Sequence, residues 1–234
     1  MKKIKNIIVV LVVLSSAAII MPGCMKLQRD FTRSTTDTLN ANLGKTAWAY
    51  LKSRAYQNAT PNDTLFRRMY DAIIYSGIDT NLYTQPNKTY IFFNNSMVTT
   101  KTTGLWAAVL TSAGKAATSW KSYPAADVKN YLLYLILNGQ YSHYNLPVTD
   151  VTATTMLPAG AYTNNPANFK FSNPAFISNP NSTMTIKVLN ASPSNTSDYP
   201  IQLNGSVNVT TSDLLATNGV VDVVGTFVSP NPPQ

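Results

Sequence analysis

The chain holds one histidine, His143, one cysteine, Cys24, and ten acids, all of them aspartate. General acid–base catalysis usually rests on a histidine or on paired carboxylates with tuned pKa values. His143 lies in GQYSHYNLP between tyrosines, in what reads as a surface turn, with no Ser, Cys or Asp constellation evident around it. The aspartates are isolated: there is no DxD, no calcium loop with its terminal Glu, and no HExxH. A structural zinc site needs about four ligands, which one Cys and one His cannot supply. These residues predict a protein that binds and does not catalyse, with no metal and no cofactor. Aromatic residues are the remaining ligand-holding candidates. Trp106, Trp120, Tyr123, Tyr141 and Tyr144 can stack on sugar faces, or serve as ordinary core and surface packing.

Positioning such residues requires a core, and the composition supplies one. Of 234 residues, 44% are hydrophobic, with 13 Tyr, 8 Phe and 3 Trp, which argues against wholesale disorder. A single domain of this length buries roughly 70% of the surface its unfolded chain exposes. A lone cysteine closes no internal disulfide, so the fold must stand on packing. Charged residues make up only 12% of the chain, leaving Asn and Thr to solubilise much of the surface.

The first residues read as an address. Lys2, Lys3 and Lys5 precede an apolar stretch from Ile7 to Ile20, and Met21-Pro22-Gly23-Cys24 follows as a small-residue boundary. The stretch is short against the roughly 20 residues of a spanning helix. This pattern resembles a bacterial lipoprotein signal. The resemblance implies that Cys24 becomes the first mature residue and carries diacylglycerol, a modification whose acyl chains hold a protein to a membrane at about 0.8 kcal/mol per buried CH₂. Residues 1–23 are then a signal peptide and 24–37 a polar tether, MKLQRDFTRSTTD lacking apolar periodicity. An exported, lipid-anchored location in the cell envelope follows, outer membrane foremost, on the periplasmic or the surface face.

Without its leader the chain keeps 15 basic residues against 10 acids, a net +5. The bases are scattered, among them Arg29, Arg33, Arg54, Lys115 and Lys121, and only Arg67-Arg68 adjoin. They read as solvated faces, and no nucleic-acid partner is expected.

Beyond the tether, Leu43, Ala47, Tyr50 and Leu51 predict a short helix ending near Arg54. DTLFRRMYDAIIYSG predicts an amphipathic helix capped by Asn62 or Asp63 and closed by Gly77. KTYIFFNNSM, from Lys88 to Met97, predicts a buried strand entering a turn at Asn94-Asn95. Residues 99–123 are ambiguous. Pro124 opens a helix through AADVKNYLLYLILNG, closed by Gly139. Short runs at Met184–Leu189, Ile201–Leu203, Val207–Val209 and Val220–Val228 predict strands. Asn218-Gly219 reads as a turn using positive φ, with Val221, Val223 and Phe227 on one core face of the last strand. Helices first and strands later argue for an α+β domain over 38–229, with a C-terminal tail at 230–234.

In that order of elements the sequence resembles the fasciclin-like domain family. The most specific pieces are LLYLILNGQY (Leu132 to Tyr141) and ATNGVVDVV (Ala216 to Val224), against family patterns LLxYHILPGxY and TNGVIHVID. Tyr134 matches the family tyrosine, while Leu135 and Asp222 stand where the family has histidines. The resemblance implies a twisted β-sandwich or wedge of short strands with several helices packed on it, and an adhesion or protein-binding role. Tyr134 enters as a candidate binding residue because the Tyr-His neighbourhood is linked to integrin binding in some animal members. The other binding reading is an accessory carbohydrate-binding lipoprotein working beside an outer-membrane importer. Partners are thus the membrane through Cys24 and a protein or glycan of the envelope.

Overall fold

Between Thr89 and Phe93 the chain sets a β-branched residue, aromatics and an isoleucine in a row, and such a strand is stable where both its faces are covered. The computed structural model describes residues 42–55, 64–189 and 199–232. The residues expected to form a signal and a tether, Cys24 among them, and the capping candidates Asn62 and Asp63 lie outside the described residues. In chain order the elements are α1 (Ala47–Ser53), α2 (Arg67–Ser76), β1 (Lys88–Phe93), α3 (Asn95–Thr99), α4 (Leu105–Ala108), β2 (Val109–Leu110) and α5 (Ala125–Tyr134). They are followed by β3 (Ile136–Asn138), β4 (Val151–Thr154), β5 (Lys170–Phe171), β6 (Thr183–Val188), β7 (Ile201–Leu203), β8 (Val207–Asn208), β9 (Thr211–Ala216) and β10 (Gly219–Val224). The class is α+β, with helices concentrated in the first half. Among the described residues no helix is long and apolar enough to cross a membrane.

The central sheet has the order β3-β1-β10-β9. β1 and β10 run parallel from Lys88↔Gly219 to Phe93↔Val224, and all six residues of β10 are buried. Burial on both sides of β10 corrects the expectation of one core face bearing Val221 and Val223. Antiparallel β3 and β9 flank this pair. A second sheet, β4-β6-β7-β8, is wholly antiparallel, and β6 alternates half-buried and buried residues as a one-sided sheet should. Tyr131, Phe169, Phe171 and Phe227 pack ring against ring between the elements.

Several boundaries differ from the sequence expectation. The helix opened by Pro124 stops at Tyr134, and Ile136–Asn138 crosses to pair with β1, where the Ile91 N–H donates to the Leu135 carbonyl at 2.9 Å. The exposed edge of β1 needs those partners, and that demand overrides helical periodicity. The strand beginning at Lys88 ends at Phe93, after which Asn94 caps α3 through its side chain. Asn218 and Gly219 are not positive-φ positions. Asn218 is buried: its Oδ1 accepts from Ala47 N at 2.9 Å, and its Nδ2 donates to Tyr83 O, Gln85 O and the Tyr90 hydroxyl. Gly219 is required because a Cβ there would overlap the Lys88 carbonyl of β1. Pro230 and Asn231 belong to the body and not to a tail, Asn231 bridging Ile177 N and Ala175 O.

Candidate functional site

The start of α2 is a helix end whose N-cap residue, Phe66, offers no side-chain oxygen. Helix starts leave N–H groups unpaired, and another element must satisfy them. Asn95 of α3 does so: its Oδ1 accepts from Arg68 N at 2.9 Å and its Nδ2 donates to Thr64 O at 2.7 Å. This cross-connection fixes the first turn of α2, so Arg67 and Arg68 leave the helix at a defined place. Asp71, one turn on, lies 3.4 Å from Arg67 Nε and 3.9 Å from Arg68 Nη1.

On the other side of Arg68, α4 supplies Trp106 and a 3₁₀ turn at Trp120–Ser122 supplies Trp120. The two indoles meet edge to face at 5.9 Å. Trp120 Nε1–H donates to the Arg68 carbonyl at 2.9 Å, and the Arg68 guanidinium lies 5.2 Å from the Trp106 ring centre. Two depressions result. One, of about 410 Å³, is lined by Thr64, Arg67, Arg68, Asp71, Asn95 and Thr99. The other, of about 200 Å³, shares Arg68 and Asp71 and adds Tyr75, Trp106, Ser119, Trp120 and Lys121. Together they fall in the range of roughly 300–1,000 Å³ typical of small-ligand sites.

The structure separates the aromatic candidates. Trp106 is half-buried at the cleft. Trp120 lines it but is only 4% exposed, wedged against Phe93, so it offers an edge and no free face. Tyr123 is buried and donates to Val109 O at 2.6 Å. Tyr134 is fully buried. Its hydroxyl donates to Thr183 O and accepts from Asn204 Nδ2, and burial raises its pKa. Tyr123 and Tyr134 are therefore core tyrosines in this fold and offer no surface to a ligand. Tyr141 and Tyr144 lie elsewhere: Tyr141 N donates to Thr89 at the start of β1, whereas Trp120 packs on Phe93 at its end, about 13 Å along the strand. Tyr144 is 85% exposed. Arg67, Arg68, Asp71 and Asn95 were not singled out for binding by the sequence. The i, i+3 and i+4 spacing of the arginines from Asp71 was their one visible signal.

A second cluster forms where the sequence showed none. His143 is partly buried: its Nδ1 is 2.7 Å from Asp213 Oδ2, and its Nε2 is 2.6 Å from Tyr199 O. Both neighbours are acceptors, so the ring satisfies both only with a proton on each nitrogen. Burial pulls the His143 pKa down, but the Tyr199 carbonyl and the Asp213 carboxylate outweigh it, and the net shift is upward. Asp213 N–H donates at 3.0 Å to Oδ1 of Asp222, whose Oδ2 has no hydrogen-bond partner among the described residues. Burial pushes the Asp222 carboxyl up to about 7. Among the described residues no group of His, Cys or Asp is placed to hold a metal ion. Neither a family model nor a curated protein matches this chain.

Proposed function

We propose that the protein is a lipid-anchored, extracytoplasmic binding module that works by holding a ligand and not by chemistry, and that the ligand is a glycan seated in the cleft at the start of α2. One observation carries the reading: the Arg68 guanidinium and the Asp71 carboxylate line both depressions, one with the hydroxyls of Thr64 and Thr99 and the amide of Asn95, the other with the half-buried indole of Trp106. Planar polar groups suit the paired hydroxyls of a sugar, and an indole suits its apolar face. The larger depression, lined by Thr64, Arg67, Arg68, Asp71, Asn95 and Thr99, holds no hydrophobic residue, and aromatic surface is confined to the smaller one. This favours the glycan over the protein-adhesion role that the fasciclin-like resemblance implies.

The fasciclin-like fold remains part of the proposal. It is supported by the element order and by the place of the two specific motifs, with LLYLILNG turning from α5 into β3, and GVVDVV filling β10 beside β1. The anchor rests on the Lys-rich leader and Cys24. A glycan array probed with wild type and Trp106→Ala tests the site: glycan signals that vanish in the variant are expected. Binding confined to an envelope protein and indifferent to Trp106 would replace the glycan reading with adhesion.

A further inference from the structure

The Arg68 guanidinium is placed by its neighbours, but its hydrogen-bond donors are unused among the described residues. Its backbone is held on both sides, the N–H by Asn95 Oδ1 at 2.9 Å and the carbonyl by Trp120 Nε1 at 2.9 Å. Its guanidinium lies 5.2 Å from the centre of the Trp106 ring, a cation–π contact that helps to place the side chain. Yet its nearest carboxylate oxygen, on Asp71, is 3.9 Å away, beyond hydrogen-bond reach. An arginine carries five N–H donors, and among the described residues none of those on Arg68 is used in a hydrogen bond. The residue also lines both depressions, so a ligand in either one meets it.

The surrounding charge has one sign in excess. Arg67, Arg68 and Lys121 line the cleft against a single carboxylate, Asp71. Lys121 is exposed and makes no ion pair among the described residues. A neutral sugar would engage such a fork only through hydroxyls. A carboxylate or sulfate accepts two parallel N–H donors, and charge-assisted bonds of that kind are roughly twice as strong as neutral ones.

We infer that Arg68 is the anion-recognising residue of the cleft and that the glycan is acidic, a uronate-bearing or sulfated saccharide whose anionic group docks on the Arg68 fork while its ring lies by Trp106. The inference rests on the glycan reading above and names its ligand class. An acidic peptide offers the same carboxylates, but the larger depression gives its side chains no hydrophobic residue to pack on, and Thr64, Thr99 and Ser119 suit ring hydroxyls.

The test is titration calorimetry of the full-length protein with uronate-bearing and sulfated oligosaccharides, their uncharged counterparts of equal length, and poly-aspartate. Acidic saccharides should bind about tenfold or more tightly than the uncharged ones, and more weakly as salt rises. Arg68→Gln should remove that preference, and Arg68→Lys, a point charge without a fork, should restore part of it. Melting curves of both variants establish that they are folded. Equal binding of charged and uncharged sugars, with loss in Trp106→Ala, would overturn the acidic inference and leave the glycan reading standing. Poly-aspartate binding as tightly as the saccharides would overturn it in favour of a peptide. No binding of any saccharide would overturn both.

Discussion

Asp213 Oδ2 stands 2.7 Å from His143 Nδ1, although 70 positions separate the two residues. The pair ties the segment after β3 to strand β9. Behind it, Asp222 of β10 shares the backbone N–H of Asp213 and keeps one oxygen unpartnered. Asp213 has φ +58°, and the β9–β10 register shifts between Val221 and Val223. A bulge re-aims the chain locally, and this one brings both carboxyls toward the imidazole.

The cluster predicts that stability falls as pH rises. Asp222 has a folded pKa of about 7 against an ordinary value near 3.8, so between those limits the folded protein binds more protons than the unfolded chain. His143, raised above about 6.5, adds the same sign at the upper end of the range. Stability from both groups is therefore present at low pH and lost as pH passes through their folded values. Asp213 on β9 and Asp222 on β10 are the charged groups that act on the imidazole, and Tyr199 contributes only its carbonyl. Thermal melts from pH about 5 to about 8 should show a falling Tm, and Asp222→Asn should flatten the curve. A Tm that climbs across that interval would refute the proton assignment.

Asn218→Ala should destabilise the fold by about 2–4 kcal/mol. The side chain satisfies the Ala47 N–H at the first turn of α1 and the Tyr83 and Gln85 carbonyls around the 3₁₀ turn Thr80–Thr84. Each buried group left unpaired costs about 1–3 kcal/mol, with some relief from water. Urea melts give the number, and a loss under about 0.5 kcal/mol, the level of a surface change, would contradict the bridging role.

Tyr134→Phe should cost only about 1 kcal/mol and leave ligand binding untouched. Its hydroxyl partners keep others: Thr183 O also accepts from Asn179 Nδ2, and Asn204 Nδ2 also donates to Ser229 O. Weakened binding with an unchanged melt would return Tyr134 to the ligand surface.

The sequence carried α1, α2, α5 and the strands β1 and β10 because their signals are local, such as the apolar face of α2 with Gly77 behind it and the unbroken apolar run of β1, whereas the parallel pairing of β1 with β10 and the short helices α3 and α4 had no such signal. The point where α5 gives way to β3 was hidden, since Ile136 and Leu137 satisfy both helical and strand patterns and only the open edge of β1 decides between them. Caps supplied from elsewhere were hidden too. Asn95 serves α2 from 27 positions downstream, beyond the reach of any local capping pattern such as Asn62 or Asp63. In the cleft, Trp106 was visible as an aromatic, but Arg67 and Arg68 looked like a solvated face because their relation to Trp106 exists only after α4 folds back. The His143 cluster had no sequence signal at all, its three members coming from three separate segments.

Cys24→Ala should release the protein from the membrane fraction while its melting curve stays that of wild type. Cys24 precedes the described body, whose packing uses no cysteine, so losing the acyl chains proposed there should remove anchorage without touching the core. Unchanged fractionation would remove the lipoprotein reading.

Trp106→Ala and Trp120→Ala should fail differently, although the rings touch. Trp120 is buried against Phe93 and supports the Arg68 carbonyl, so its truncation should cost about 3–5 kcal/mol and lower Tm before any binding effect is interpretable. Trp106 is half-buried and its Nε1 has no hydrogen-bond partner among the described residues, so its truncation forfeits at most about 2 kcal/mol of burial. It removes, however, the surface under the Arg68 guanidinium. Affinity for the glycan should therefore drop about tenfold in Trp106→Ala, the value of one stacking contact of about 1.4 kcal/mol, while Tm falls by at most about 8 °C and the protein stays folded at the binding temperature. A folded Trp106→Ala protein that binds its ligand as wild type does would move the binding site away from this cleft.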